Sequence, residues 1–374
     1  MNNKSAPSCA LKKTSIGGQA LMEGIMMRGP EWTAMAVRNP SGEIVVEKFP
    51  TEAKKRSKFF KLPVIRGVFN YIDSMTIGTK CLMRSAEISG LEDAENEYKL
   101  EKQAKKAAKS KGTAYEAELE ALKAASDQES SGAVSDNITS DAKNTKKESS
   151  AMMSAVLFFS VLLGIAFSVL LFIVVPSYIY KLLTWALPVL KFEENLALQS
   201  LVKSVFEGLL KIAILVGYMS LVSLMKDIRR TFMFHGAEHK TIFCYESGLE
   251  LTIENVKKQK KFHPRCGTSF LILMLLVGIF VSFFIDPLFL LAFGYLPQTM
   301  IRVLIKLALL PIIVGVGYEL IKIAGRHDNA FTKIISAPGV WLQCVTVLEP
   351  TDDMIECAIT AVKEVIPTDD SDKW

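Results

Sequence analysis

Cysteine and histidine are both scarce in this chain of 374 residues, which contains six cysteines and four histidines. The cysteines show no paired spacing, which argues against a disulfide framework. No continuous apolar segment lies between Met1 and Gln19, so no cleavable signal peptide is predicted. The formal net charge of +5 is modest, and the basic residues do not suggest a groove that tracks nucleic acid. Nucleic acid is therefore not an expected partner.

Apolar sequence, by contrast, is abundant. Half of the residues are hydrophobic and the mean hydropathy is +0.26, which is high for a soluble protein. A helix needs about 20 apolar residues to cross a lipid bilayer, and four stretches are long enough. These stretches are Ala151 to Pro176, Val205 to Met225, Thr268 to about Leu291, and Met300 to Ile323. The sequence thus predicts an α-helical integral membrane protein with four transmembrane helices.

The third apolar stretch is interrupted by Asp286 and Pro287. Proline removes a helical hydrogen bond, and the residue before it is biased away from the helical conformation. We therefore expect this helix to end near Ile285, with the apolar residues beyond it turning along the far interface.

The distribution of basic residues predicts the orientation, because Lys and Arg are retained on the cytoplasmic side of a membrane. They are dense before the first apolar stretch and in the loop between the second and third, and sparse in the other two connections. Both termini are therefore expected in the cytoplasm.

Both ends of the chain carry patterns of regular structure. Thr33 to Arg38 and Glu43 to Phe49 read as two strands joined in a hairpin. Trp341 to Leu348 reads as a further strand, and Asp352 to Ile366 as a helix with one apolar face. We expect the two ends to fold together into a small cytoplasmic α+β domain.

The predicted organisation has five parts. They are residues 1–58, the cytoplasmic N-terminal part with the hairpin; 59–90, an amphipathic or interfacial helical segment; 91–150, a charged and partly disordered linker insertion; 151–325, the four-helix membrane domain with a cytoplasmic His-rich loop at 226–267; and 326–374, the C-terminal strand and helix. For the second part, a helix pair is favoured over a re-entrant hairpin.

Three of the four histidines lie in the polar loop between the second and third apolar stretches. His235 and His239 are four residues apart, so on a helix their rings share a face and can share a cation. The order His-x-x-Glu-His is similar to the zinc motif of inverzincin metallopeptidases, in which the histidines bind zinc and the glutamate is the general base. By this analogy, His235 and His239 bind a divalent metal, expected to be Zn²⁺, and Glu238 is catalytic. Alternatively, both rings bond lipid headgroups or backbone at a helix end.

Other residues are candidates to complete such a site. Glu319 is the first choice for a third ligand, because a carboxylate within a span is costly and usually faces a partner or a cavity. Its alternative role is as a buried partner of Arg229 or Arg326. His263 is the second choice, followed by Cys266, which could instead be a small buried residue. The two remaining candidates are His327 and Arg265, the latter suited to contact a phosphate or a lipid headgroup.

A glycine-rich segment, residues 16–30, is a second candidate site and contains Glu23 and Arg28. The pair Gly17 and Gly18 permits close approach of the backbone to a ligand or to another part of the protein. A tight structural turn explains the segment equally well. Its spacing fits neither a phosphate loop nor a dinucleotide fingerprint.

Several long motifs together resemble the YqhQ family of bacterial membrane proteins. They run from Gly17 to Pro30, Phe234 to Thr241, His263 to Phe270 and Pro338 to Gln343, with Glu349 and Pro350 following. The resemblance covers nearly the whole chain except the insertion. It implies a multi-pass protein of a bacterial inner membrane, in a family known mainly as a domain of unknown function and sometimes labelled a predicted metal-dependent enzyme. It implies no substrate.

Two functions are compatible with these patterns. The first is a metal-dependent, membrane-embedded hydrolase that acts on a peptide or lipid-linked substrate at the cytoplasmic membrane face. The alternative is a non-enzymatic membrane assembly or interaction protein with a structural metal or a polar cluster. A transporter is disfavoured, because apart from Glu319 the spans carry few ionisable residues, and Lys211 and Lys306 lie where side chains can reach the interface.

Overall fold

A computed structural model describes residues 13–51, 57–90, 159–160, 162–188, 196–327, 329–369 and 371–373, with single helical positions between 102 and 119. The described parts of residues 1–89 and 171–374 belong to one compact unit. Apart from those single positions, the predicted insertion at 91–150 lies outside the described residues.

The chain begins with an antiparallel sheet of four strands in sequence order. They are β1 (Gly17–Leu21), β2 (Gly24–Arg28), β3 (Trp32–Arg38) and β4 (Ile44–Pro50). The predicted hairpin is confirmed as β3 and β4. The sequence did not predict β1 and β2, which form a second hairpin within the glycine-rich segment. Its turn places Glu23 in the left-handed region, with a φ of 50°.

Helices follow the sheet. They are α1 (Ile65–Ile88), α2 (Val175–Ala186), α3 (Leu196–Val222), α4 (Lys226–Glu246), α5 (Ile253–Lys257), α6 (Gly267–Phe293), α7 (Thr299–Arg326), α8 (Ala330–Thr346) and α9 (Asp352–Lys363). A 3₁₀ turn (Lys58–Lys61) precedes α1, and a π-helical turn (Leu170–Val174) precedes α2. The segment at 59–90 is therefore one long helix after a short turn, and the prediction of a helix pair was wrong.

Within the described part of the chain, four helices are long and apolar enough to cross a membrane, as predicted. They are Leu162–Ala186, Leu198–Val222, Gly267–Phe293 and Thr299–Arg326. The first continues beyond its predicted end at Pro176, and the π-helical turn at Leu170–Val174 lies directly before this proline. Such local adjustments accommodate a proline within a membrane helix.

The prediction that the third helix ends near Ile285 was wrong, because α6 continues through Pro287 to Phe293. One lost hydrogen bond is tolerated in an apolar helix whose neighbours supply partners. The carboxylate of Asp286, beside the proline, is itself satisfied, since it accepts hydrogen bonds from Arg302 and Ser200.

At the C-terminal end, the helix from Asp352 is confirmed, but the strand predicted from Trp341 to Leu348 was wrong. Trp341 to Thr346 instead continue α8, which begins with a capping box between Asn329 and Thr332 and ends before Val347. A Cβ on Gly339 of α8 would lie 2.5 Å from the Ser269 Cβ of α6. This close packing of helix on helix overrides the strand propensity of the local sequence.

The sheet lies between helices on both faces, because successive side chains of a strand point to opposite sides. Ile25 and Met27 of β2 belong to a core shared with α4 and α9. Met26 between them belongs to a second core, with Cys81 of α1. The sheet thus packs against α4 and α9 on one face and α1 on the other.

Helix α4 fits tightly against the segment after α8. A Cβ on Gly236 would lie 1.9 Å from the carbonyl oxygen of Leu348, whose own amide donates to the Phe232 carbonyl at 3.0 Å. Because backbone cannot yield as a side chain can, we expect Gly236→Ala to lower the free energy of unfolding by about 3 kcal/mol. Thermal denaturation in detergent measures this. Gly217→Ala on α3, with no atom within 4 Å, is the control and should change stability little; equal melting of both variants would contradict the expectation.

Candidate metal centre

The two histidines of the His-x-x-Glu-His motif lie on one face of α4, as their spacing predicts. Their ring centroids are 4.4 Å apart. Cys266 is the N-cap of α6, and its Sγ lies 3.0 Å from the Nε2 of His235. Donor atoms of His235, His239 and Cys266 all lie within 4.8 Å of one another. The structure therefore brings together three side chains that could hold one metal ion.

Backbone carbonyls orient both imidazole rings. The Nδ1 of His235 lies 2.9 Å from the carbonyl oxygen of Thr346, and the Nδ1 of His239 lies 2.6 Å from that of Lys261. A carbonyl oxygen only accepts hydrogen bonds, so each Nδ1 carries the hydrogen and each Nε2 keeps a lone pair. This is the arrangement that surrounds metal-binding histidines in proteins.

His239 provides an independent test of whether the residues fit a metal. Its side chain is buried, and its Nε2 has no hydrogen-bond partner in the described structure. Buried polar atoms are rarely left without a partner. Two imidazoles and one thiol are a donor set that suits Zn²⁺, so these residues fit the ion that the sequence predicts.

Glu238 lies beside the group but not in it. Its Oε1 accepts a hydrogen bond of 3.1 Å from the Gly18 amide in β1. Burial raises the pKa of this carboxyl and favours the protonated form, although His235 and the Gly18 amide oppose the shift. A Cβ on Gly18 would lie 3.0 Å from the Glu238 Cδ and 2.8 Å from the Met26 carbonyl oxygen. Glycine is therefore needed for β1 to approach the carboxylate.

Glu319, the predicted third ligand, lies outside this group, and Cys266 takes its place. The Glu319 carboxylate accepts hydrogen bonds from Arg66 of α1, including one of 2.7 Å from Nε. Neither Arg229 nor Arg326 is the observed partner. The negative charge of Glu319 within α7 is thus compensated by Arg66 of α1.

His263 and Arg265 also lie outside the group and instead form a buried network with Glu246. The His263 ring lies 5.6 Å from the His239 ring between centroids. Its Nε2 is 3.7 Å from the Glu246 carboxylate, and Arg265 forms an ion pair with that carboxylate. The Thr14 amide donates to Glu246 at 2.9 Å. This network joins the start of the chain to α4 and to the segment before α6.

The protonation of this network follows from burial and charge. Burial lowers the pKa of His263 to about 4, and the Arg265 charge acts in the same direction, so the ring is neutral. Burial alone would raise the pKa of Glu246, but His263, Arg265 and the Thr14 amide outweigh it and hold this pKa below its ordinary value. Glu246 is therefore a charged carboxylate with strong compensation.

A cavity of about 450 Å³ borders this network. His263, Arg265 and Glu246 line one side, and His327, the C-cap of α7, lies on its wall. Much of the remaining wall is apolar and includes Phe243, Pro264, Ala324 and Val340. None of the three donor residues lines the cavity. His263, which touches the cavity and stacks near His239, separates the two.

The glycine-rich segment has a structural role. Glu23 forms hydrogen bonds of 2.5 and 2.6 Å with Arg230 of α4. Arg28 ends β2, where it pairs with Gly17 and Thr33. The close approach that Gly18 permits is to Glu238 of α4.

Sequence reasoning missed two kinds of site residue. The Thr346 and Lys261 carbonyls, which orient the two imidazole rings, cannot be recognised from a sequence, because every residue has a backbone carbonyl. Glu246 could have been found, because it follows His239 by seven residues and so shares its helical face.

Fold and site together define a mostly helical protein with four helices able to cross a membrane and a candidate metal centre at one end of them. The family model described as "Protein of unknown function (DUF1385)" matches residues 62–368, and the chain belongs to this family. It is 32% identical over 356 residues to the "Uncharacterized protein YqhQ" of Bacillus subtilis (strain 168), covering 94% of this chain and 92% of that protein. The resemblance to the YqhQ family is thus confirmed. No solved structure matches the chain.

Proposed function

We propose that this chain is a metal-dependent hydrolase embedded in a bacterial inner membrane, with both termini and the metal centre on the cytoplasmic side. The observation that carries the proposal is the group of His235, His239 and Cys266, whose donor atoms lie within 4.8 Å of one another. Three protein ligands leave one coordination position open, as in catalytic zinc sites, whereas structural sites use four.

The three side chains would hold Zn²⁺ through the two Nε2 atoms and Sγ. A bound zinc ion would supply Lewis acidity to the site. Glu238 would supply the proton exchange: the Gly18 amide holds Oε1, and Oε2 has no hydrogen bond to the described residues. The raised pKa of Glu238 brings this group closer to the neutral range in which a general base works best.

The neighbouring cavity supports a substrate with an apolar and an anionic part. Its apolar wall includes Phe243 and Val340, and its basic residues include Arg265 and Lys333. It lies where α7 ends, at the same end of the apolar helices as the metal centre. A lipid-linked substrate or a peptide could enter from the membrane face, and rotation of His263 would open the cavity to His239.

The second candidate is a membrane assembly protein in which the metal is structural. It is favoured by one observation: none of the three donors lines a cavity, and His239 and Cys266 are buried. The metal would then link α4 to the start of α6 and stabilise the junction of the two.

Replacing Glu238 by glutamine separates the two functions. Glutamine can still accept from the Gly18 amide, so we expect folding and zinc content to persist while hydrolysis falls about 100-fold or more. Turnover is measured on fluorogenic peptides and on lipid-linked ester and phosphodiester substrates presented in vesicles. Glu254→Gln, in the short helix α5, is the matched control.

If a folded, zinc-loaded Glu238→Gln protein hydrolysed substrate at the wild-type rate, Glu238 would not be catalytic. Absence of any turnover by the wild type, together with a large fall in melting temperature after zinc removal, would instead establish the structural alternative.

A further inference from the structure

A second polar cluster lies in the apolar helices, away from the histidines. Asp286 follows Cys266 by 20 residues, which is about 30 Å along α6 at 1.5 Å per residue. The Lys306 side chain does not extend to the membrane interface, as the sequence predicted that it could. It donates to Glu207 of α3 at 3.2 Å, and both side chains are mostly buried.

Both carboxylates of this cluster are fully provided with partners. Glu207 also accepts from the Ser177 hydroxyl at 2.9 Å. Asp286 accepts from the Nε of Arg302 at 2.7 Å and from the Ser200 hydroxyl at 3.4 Å. Neither carboxylate needs a further cation.

Positive charge is nevertheless in excess. Lys203 and Lys211 lie close enough to Glu207 to interact with it, but neither has a hydrogen bond or an ion pair to a described residue. Uncompensated charge among apolar helices is costly and usually marks a functional site. Among the described residues, the cluster thus has four basic side chains, Lys203, Lys211, Arg302 and Lys306, against the two carboxylates of Glu207 and Asp286.

A cavity of about 300 Å³ opens beside these groups, between α2, α3, α6 and α7. Three basic residues line it, Lys181, Lys203 and Arg302, against one acidic residue, Asp286. Tyr180 lines it too. This tyrosine is only 7% exposed, and its buried hydroxyl has no hydrogen-bond partner in the described structure. Tyr180, which carries an unsatisfied donor, and three basic residues thus line the same cavity.

We propose that this cavity binds a phosphate-bearing anion, with Lys203 and Arg302 supplying charge and the Tyr180 hydroxyl donating a hydrogen bond. A phosphate group offers several acceptor oxygens to donors that converge from different helices. The phosphate of an anionic lipid headgroup and free phosphate share this chemistry. Tyr178 lines the cavity and is exposed, as is Trp185 further along α2, and such aromatic residues are enriched at membrane interfaces.

Tyr180→Phe tests the proposal, because it removes only the unsatisfied hydroxyl. The full chain, purified in an uncharged maltoside detergent, is melted with increasing inorganic phosphate, short-chain phosphatidylglycerol or short-chain phosphatidylcholine. We expect the wild type to be stabilised by a phosphate-bearing anion and the variant to bind it about tenfold more weakly. Without ligand, the variant should melt at the same or a higher temperature, since an unsatisfied buried group is gone. Tyr218→Phe on α3, outside the cavity, is the matched control.

Comparing the added compounds also identifies the source of the anion. Stabilisation by phosphatidylglycerol alone supports a lipid headgroup, and stabilisation by inorganic phosphate as well supports a free anion. Equal affinity of wild type and Tyr180→Phe, or stabilisation by neither anion, would overturn the proposal. Lys203→Gln provides a second variant, with the same expected loss of binding. The metal centre is untouched in both variants, so these results are independent of the proposed hydrolase.

Discussion

Replacing His239 by alanine is expected to remove the metal from the purified protein. The unpartnered Nε2 of His239 is the donor atom that the described structure leaves unsatisfied, and without it only His235 and Cys266 remain. Loss of an orienting partner alone costs a metal site about 10-fold to 100-fold in affinity, so loss of a ligand should exceed the upper end of that range. Elemental analysis after purification without chelators should find about one zinc per chain in the wild type and almost none in the variant.

His327→Ala is the matched control, because it removes a histidine at the same end of the molecule that is not in the donor group. It should retain zinc at the level of the wild type. The same elemental analysis distinguishes between the two candidates for the third ligand. Cys266→Ser should lose metal, and Glu319→Gln should keep it. A metal-free wild type would refute the metal centre, and loss of metal from Glu319→Gln would restore that residue as a ligand.

The second large effect is expected at Arg265. Arg265 pairs with Glu246, whose side chain is 3% exposed, and donates to the Thr14 carbonyl at 2.8 Å. Replacing it by methionine keeps much of the side-chain volume but leaves a buried carboxylate without its main counter-charge. Such a loss costs about 3 to 5 kcal/mol. We expect the melting temperature of Arg265→Met in detergent to fall far below that of the wild type at pH 8.

The pH dependence gives this prediction its signature. In the wild type the pKa of Glu246 lies below its ordinary value, so this carboxylate stabilises the fold above about pH 4.5 and loses that effect as the pH falls through the lowered pKa. In Arg265→Met burial dominates and the pKa rises, so the penalty should be largest at pH 8 and shrink towards pH 5. The double variant with Glu246→Gln should be more stable at pH 8 than Arg265→Met alone. An equal penalty at both pH values would contradict this account.

Hydropathy alone could predict the number of apolar helices, because the length needed to cross a membrane is a property of the local sequence. Strand and helix were harder to separate. Trp341 to Leu348 favours a strand by residue type, but the helix is retained where Gly339 packs against Ser269. The strands β1 and β2 were missed because short, glycine-rich sequence resembles a turn.

In the candidate site, too, features set by local sequence could be predicted, and features that depend on distant residues could not. The spacing of His235 and His239 is local and placed both rings correctly on one helical face. The third donor could not be assigned, because the competing role of Glu319 depends on Arg66, which is 253 residues away in the chain. Likewise, nothing near Lys306 in sequence shows that it faces Glu207 instead of the interface.

The position of the sheet along the chain sets the order in which the protein can be completed. The strands leave the ribosome before the helices, and α9, which covers the face with Ile25 and Met27, leaves after the four apolar helices. For most of translation that face lacks one of its two packing partners and is open to aggregation. The Thr346 carbonyl that orients His235 is also made late. A nascent chain that stops before α8 therefore contains all three metal donors without the partner that aligns one of them, so the centre can mature only after α8 has been made.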